Sequence, residues 1–178
     1  LIFMDEAGLG RELVQRIQKL GEHVTEVYRS DSSVGNSVQN AFYQVDPENR
    51  DSFQEMLADA AGTDATINRV VYLWGLDSPN NDELSSEQLD RSSILNALAP
   101  MHLVQAWEQH GQDSTAEATF VTQGAQSQDG PAESTAVAQG QLIGFSRVIV
   151  SEFGGWISKL VDLPAKLATA DIDNLFSE

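Results

Sequence analysis

Apolar positions along this chain alternate between short continuous runs and helically spaced stripes. Residues 1–4 are an unbroken apolar run, which predicts a buried strand. Leu9, Leu13, Ile17 and Leu20 then recur at i, i+4, i+8 and i+11, predicting a helix over residues 8–20 that Gly21 stops in a left-handed conformation. Residues 23–28, rich in β-branched and aromatic side chains, predict a second strand. Residues 31–40 are Ser/Asn/Gly-rich and predict an exposed loop, and residues 41–45 a short extended piece. Pro47 is placed to open a helix with Asp46 as its N-cap, and Phe53, Met56, Leu57 and Ala60 form the buried stripe.

Residues 69–74, apolar without a break from Val70 onward, form a run suited to the middle of a parallel sheet, followed by an acidic loop over 75–86. A long helix is predicted over 87–109 from Leu89, Ile94, Leu98, Met101, Leu103 and Trp107, with Pro100 kinking or dividing it. Residues 118–122 predict a strand, 123–131 a polar glycine-bearing loop and 132–152 a helix, in which Gly140 and Gly144 suggest close backbone approach to the sheet. A last strand is predicted over 157–163 and a helix from about Asp171. Strand and helix alternate throughout, so the fold class is α/β: a doubly wound parallel sheet of about five strands with flanking helices.

The first ten residues have the layout of a nucleotide-binding opening, in which a buried strand ends in a turn aimed at a phosphate and a helix N-terminus follows. Such a turn needs glycines so that the backbone can approach a pyrophosphate. Here Gly8 and Gly10 remain, but Met4, Asp5 and Glu6 precede them, and two carboxylates there would repel a pyrophosphate by several kcal/mol in a partly desolvated site. The glycines are therefore read as serving the turn and helix–sheet packing.

Composition narrows the function classes. The 178 residues suffice for one unit with a substantial core, and the chain reads as a fragment of a longer protein. There is no cysteine, hence no disulfide or thiolate metal site, which fits a reducing cytoplasm. With 27 acidic against 10 basic residues the formal charge is -17, which opposes binding to nucleic acid and to anionic membrane surfaces. No apolar run approaches the ~20 residues of a membrane-spanning helix.

The remaining candidates for chemistry are scattered. Arg29 and Asp31 stand where a ribose or 2′-phosphate partner would lie, but a lone Arg after a strand is read as a solvated charge. His23, His102 and His110 form no i, i+4 metal pair and no triad. The adjacent acids Asp5/Glu6 and Asp82/Glu83 are read as solvated patches, and Trp74, Trp107 and Trp156 as core residues. No phosphate-binding loop and no nucleophile elbow is present. The expectation is that no catalytic, cofactor-binding or metal-binding residue exists in this chain.

Four stretches carry a family resemblance: the opening strand, turn and helix; Val70-Val71-Tyr72-Leu73-Trp74-Gly75-Leu76-Asp77; Val121-Thr122-Gln123-Gly124-Ala125; and the run from Gly140 through Gly144, Arg147 and Glu152 to Leu160-Val161-Asp162-Leu163. In order and spacing they resemble the N-terminal structural subdomain of ketoreductase regions in modular type I polyketide synthases. The resemblance implies a truncated Rossmann-like, short-chain-dehydrogenase-like unit spanning residues 1–178 that binds no cofactor. It implies that this unit buttresses a catalytic half of the same polypeptide, which binds NADPH and reduces β-keto groups held on the phosphopantetheine of a carrier protein. Neighbouring synthase domains are its other implied partners.

A catalytic member would carry a glycine-rich cofactor turn, a Ser near the end of a later strand and a Tyr-x-x-x-Lys pair. Here residues 135–147 contain neither Tyr nor Lys, and Val121-Thr122-Gln123-Gly124 stands where the Ser strand would be. Two other readings stay open at this point: an atypical short-chain dehydrogenase fragment, and an acidic protein-interaction module. The resemblance holds equally for a parent that reduces and for one whose reductase is inactive or carries another domain between its halves.

Overall fold

The computed structural model describes residues 1–30, 42–62, 67–79, 84–110, 116–126, 136–165 and 167–177. Its sheet is built from β1 (Ile2–Phe3), β2 (Glu26–Arg29), β3 (Phe42–Val45), β4 (Arg69–Tyr72), β5 (Ala116–Gln123) and β6 (Trp156–Leu163). All pairings are parallel, in the order β3-β2-β1-β4-β5-β6. That is the doubly wound Rossmann order, with the direction of winding reversing between β1 and β4.

The helices are α1 (Leu9–Lys19), α2 (Arg50–Gly62), α3 (Ser86–Ser93), α4 (Ala99–Gln109), α5 (Gly140–Glu152) and α6 (Thr169–Ser177). Side chains alternate across each strand, so one set of positions packs on each face. Phe3, Val27, Tyr72 and Phe120 meet α2, α4 and α5 through Phe53, Leu57, Leu103, Leu142 and Ile149. Ile2, Met4, Leu73 and Val121 meet α1 and α6 through Leu9, Leu13 and Leu175. Phe3, Phe53, Tyr72 and Trp74 form one fully buried aromatic cluster, with Trp74 edge-on to Phe3 at 5.0 Å between ring centroids. Trp107 and Trp156 pack at 5.0 Å and are buried as well.

Six strands stand where about five were expected, because residues 42–45 add an edge strand. β3 pairs with all four residues of β2, from Glu26↔Phe42 to Arg29↔Val45, yet buries only Val45 outright. A short edge strand that is mostly exposed leaves little hydrophobic alternation to read. The second strand lies later than expected: it starts at Glu26 and ends at Arg29, with His23 exposed ahead of it.

The helix after Pro47 also begins later, at Arg50. Pro47 sits in a turn, and Asn49 rather than Asp46 accepts the N–H of Asp51 at 3.0 Å. The division of the long helix at Pro100 is found, and it takes the form of a π-helical segment, Ile94–Leu98, between α3 and α4. There the N–H of Ala99 reaches back five residues to the carbonyl of Ile94. A proline has no N–H to close the ladder to residue 96, so the turn before it widens. A capping box of Ser85 and Gln88 starts α3.

The expectation for Gly140 and Gly144 is overturned. A Cβ added at either meets nothing within 4 Å, so neither faces the sheet. The close approaches lie elsewhere: a Cβ on Gly75 would stand 2.7 Å from Leu142 Cδ2 and 2.8 Å from Asn96 Oδ1, and one on Gly10 3.0 Å from Met4 Sδ. The predicted loop over 31–40, the start of the helix predicted from 132, and Asp31, Asp82 and Glu83 lie outside the described residues. Among the described residues no helix is long and apolar enough to cross a membrane.

Candidate functional site

In an open α/β sheet the place for a ligand is the crevice beyond the carboxyl ends of the strands where the winding reverses. Here that crevice is framed by the turn after β1, the end of β2 and the 3₁₀ turn Trp74–Asp77 after β4. Three loops bring charged residues into it, and they bind one another.

The turn after β1 is closed by its own carboxylate. Gly8 is the residue before α1, held at φ 100°, where an L side chain would be strained, and no side chain of its own caps the helix. Asp5 does so instead. Its Oδ2 accepts from the N–H groups of Gly8 at 2.8 Å and Leu9 at 3.0 Å, and its Oδ1 from Gly10 at 2.6 Å. These are the donors that a helix N-terminus leaves unpaired and that bind phosphate in cofactor-binding turns. Asp5 is only 2% exposed, so it is a buried cap and not the solvated charge expected from the sequence. A pyrophosphate at this turn would have to displace an anion carried by the chain itself, so the residues present do not fit a dinucleotide in the usual pose.

Glu6 and Arg29 extend the closure. The Arg29 guanidinium is bound by the carboxylate of Glu6 and lies 3.6 Å from Asp77 Oδ2, while the backbone N–H of Glu6 donates to Asp77 Oδ1 at 2.9 Å. Arg29 is buried, which corrects the expectation of a solvated charge after β2. It ties the ends of β1, β2 and β4 together.

Asp77 is the strained member. Burial pushes its carboxyl up to about 6; the Glu6 N–H and the Arg29 charge pull it down, and the Glu6 and Asp5 carboxylates push it up again. The folded protein therefore holds a proton on Asp77 between its ordinary value of 3.8 and about 6 that the unfolded chain has released. The charge on Asp77 costs stability at neutral pH, and this cost shrinks as pH falls below about 6 and is gone near the ordinary value of 3.8. Asp77→Asn should accordingly gain on the wild type by on the order of 2–3 kcal/mol between pH 4.5 and 7.5. Urea unfolding of both proteins at those pH values checks this, and a difference that stays flat with pH would contradict it.

Beside this cluster lies a cleft of about 510 Å³ whose walls include Arg29, Asp77, Ser78, Gln88, Arg91 and Leu95. Asn96, fully buried in the π-helical segment, donates to Ser78 Oγ at 2.7 Å and to the carbonyl of Ser92 at 2.9 Å. Sequence reasoning singled out neither Asn96 nor Asp77. Asn96 did leave a signal, as the one polar residue inside the apolar run from Ile94 to Pro100.

At the end of β5 the polar groups are likewise spent on one another. Thr122 Oγ1 donates to Asp162 Oδ1 at 2.7 Å, and the N–H groups of Ala125 and Gln126 complete that carboxylate's partners at 3.0 and 2.8 Å. The N–H of Gln123 donates to Gln139 Oε1 at 2.8 Å. The histidines do not converge: His23 is exposed, His110 Nε2 lies 2.9 Å from the carbonyl of Gln54, and His102 packs against Phe53. Burial holds His102 below its ordinary value. Among the described residues no group of three or more His, Asp or Glu is placed to hold a metal ion.

No family model and no curated protein matches the sequence. Solved structures share its fold. The adenylation, ketoreductase and pseudo Asub multidomain structure of a keto acid-selecting NRPS module superposes with a TM-score of 0.80 at 13% identity, over 98% of this chain. The chain spans 14% of that much longer one. An oxidoreductase of the short-chain dehydrogenase/reductase family from Brucella ovis, in complex with a partially ordered NAD, gives 0.72 at 18% identity, covering 99% of this chain and 88% of that one. A 4-hydroxyisoleucine dehydrogenase complexed with NADH and succinate gives 0.72 at 13% identity, with 99% and 87% covered. The fold is that of short-chain dehydrogenase-like proteins.

Proposed function

We propose that this chain is a non-catalytic structural unit: the buttressing subdomain of a ketoreductase region in a multidomain synthase, of the modular polyketide type. In this reading residues 1–178 form a single Rossmann-like unit of a longer cytoplasmic polypeptide. Its catalytic partner half binds NADPH and acts on intermediates held by a carrier protein's phosphopantetheine, and neighbouring synthase domains pack around both. The chain itself uses no cofactor and no metal, and engages neither nucleic acid nor membrane. Its work is packing, which keeps the partner half in its competent shape.

The observation that carries the reading is the Asp5 carboxylate on the N–H groups of Gly8, Leu9 and Gly10. An anion built into the chain stabilises the helix start and competes with any cofactor phosphate for the same donors. The superposition on an NRPS module that contains a ketoreductase, at a low sequence identity, is consistent with this reading. The resemblance of residues 70–77, 121–125 and 140–163 to structural subdomains adds the polyketide context.

The test is titration with NADPH and NADH, followed by nicotinamide fluorescence. No saturable change is expected for either up to about 1 mM, the weak limit of useful cofactor affinity. Micromolar binding by this chain alone would overturn the reading.

A further inference from the structure

We propose that the outer edge of β6 is a docking groove for an extended, net-basic peptide segment of a partner protein, which adds to the sheet as a further strand. The direction of hydrogen bonding along β6 is fixed by its pairing with β5. The N–H of Ala116 donates to the carbonyl of Gly155 and that of Gly124 to the carbonyl of Leu163, over a register unbroken from Ala116↔Trp156 to Gln123↔Leu163. In a parallel ladder of this phase Ile157, Lys159, Val161 and Leu163 turn their backbone groups to β5. The N–H and C=O of Ser158, Leu160 and Asp162 then point the other way, and β6 is the last strand of the sheet, so no strand among the described residues takes them up.

The edge borders a groove. A cavity of about 520 Å³ is lined by every residue from Lys159 to Pro164 and, across from them, by Asp171, Asn174 and Leu175 of α6. Consecutive strand residues face opposite sides of a sheet, so a cavity that touches all of them runs along the edge and not over one face. The far wall is pinned, because Asp173 of α6 pairs with Arg16 and Leu175 is buried in one cluster with Leu13 and Leu163. Natural sheets guard a long edge with proline, a bulge or an outward lysine. β6 has eight residues, no proline and no break in its pairing, and its Lys159 is drawn to Glu117 at 3.0 Å.

The lining defines the occupant. Main-chain donors and acceptors repeating every second residue are matched by an extended backbone, as in other cases where a peptide joins a sheet edge. Leu160, Val161, Leu163 and Leu175 favour apolar side chains at alternate positions of that peptide. With Lys159 paired to Glu117, the groove carries the carboxylates of Asp162 and Asp171, in a chain of net charge -17. The complementary charge is basic.

β6 is separated from β1 by β4 and β5, so failure of the groove and failure of the proposed function are distinguishable. The probe is a labelled synthetic peptide of about nine residues, with valine at alternate positions and lysine and threonine between them. Fluorescence anisotropy with the full chain should give a Kd of about 10–100 µM, and a peptide with glutamate in place of lysine should bind roughly tenfold more weakly or less. Hydrogen exchange supplies a signature that charge attraction alone would not produce. The amides of Ser158, Leu160 and Asp162 should exchange fast in the free chain and become protected with peptide, while those of Lys159 and Val161 are protected in both. N-methylation of one alternate set of peptide residues should abolish binding, and of the other set leave it intact. Leu160→Pro, which removes an outward N–H and no bond to β5, should weaken binding roughly tenfold with unchanged circular dichroism. No binding up to about 1 mM, protection spread evenly along β6, or equal tolerance of the two N-methylated peptides would each overturn the proposal. Amides of Leu160 and Asp162 already protected in a dimer of the free chain would overturn it in favour of a second copy.

Discussion

Asp5→Ala is expected to lower the stability of the fold by roughly 2–4 kcal/mol, more than removal of an ordinary exposed cap would. Three charge-assisted bonds are lost at once, from Gly8, Leu9 and Gly10, and the donors left behind lie at a helix start packed against Met4 and Leu73. For a chain of this size the melting temperature should fall by about 5–15 °C. Thermal melts of wild type and variant measure it. Asp5→Gly adds a sharper arm, because it clears the carboxylate and leaves the turn free to take an anion. Inorganic phosphate should then recover part of the lost stability in the variant and none in the wild type, at matched ionic strength. A variant as stable as the wild type would mean that the carboxylate is not what holds the turn.

Arg29→Met should be as damaging by a different route. It leaves Glu6 and Asp77 facing one another without the cation between them, with the buried Asp5 close by, and removes the tie between the ends of β1, β2 and β4. Losing one partner of a buried ion pair costs about 3–5 kcal/mol, because the other charge stays buried. The loss should depend on pH with a definite sign. Arg29 lowers the Asp77 carboxyl, so without it the carboxyl rises above its present value of about 6. Near pH 5 Asp77 is then neutral and the variant loses less; near pH 8 it is charged and the variant loses most. Asp77→Asn placed in the same chain should recover a large share of the loss at pH 8, and a double-mutant cycle reads that coupling.

Most of the fold was legible because its signals are local. Continuous apolar runs marked β1 and β4, the stripe from Leu9 to Leu20 marked α1, and Pro100 marked the break that proves to be a π-helical segment. β3 was only half visible, since a four-residue edge strand that buries one side chain has no periodicity to offer. Gly140 and Gly144 are misleading in the sequence, which records that a residue is small and not which way it faces. The cluster beyond β1 and β4 was the least legible part. In the sequence Asp5 and Glu6 stand as obstacles to a phosphate, and as neighbours they imply one shared solvated environment. In the fold they diverge: Asp5 turns in to the start of α1, and Glu6 turns across to Arg29. Asp77 joins them from 71 residues away, a separation that no local pattern could bridge.

The turn after β1 is already filled by its own anion. Backbone amide resonances of Gly8, Leu9 and Gly10, followed by NMR while NADPH is raised to about 1 mM, test it at the atoms concerned. These three resonances are expected to stay where they are in the wild type. Saturable, concentration-dependent shifts confined to those three amides would contradict it.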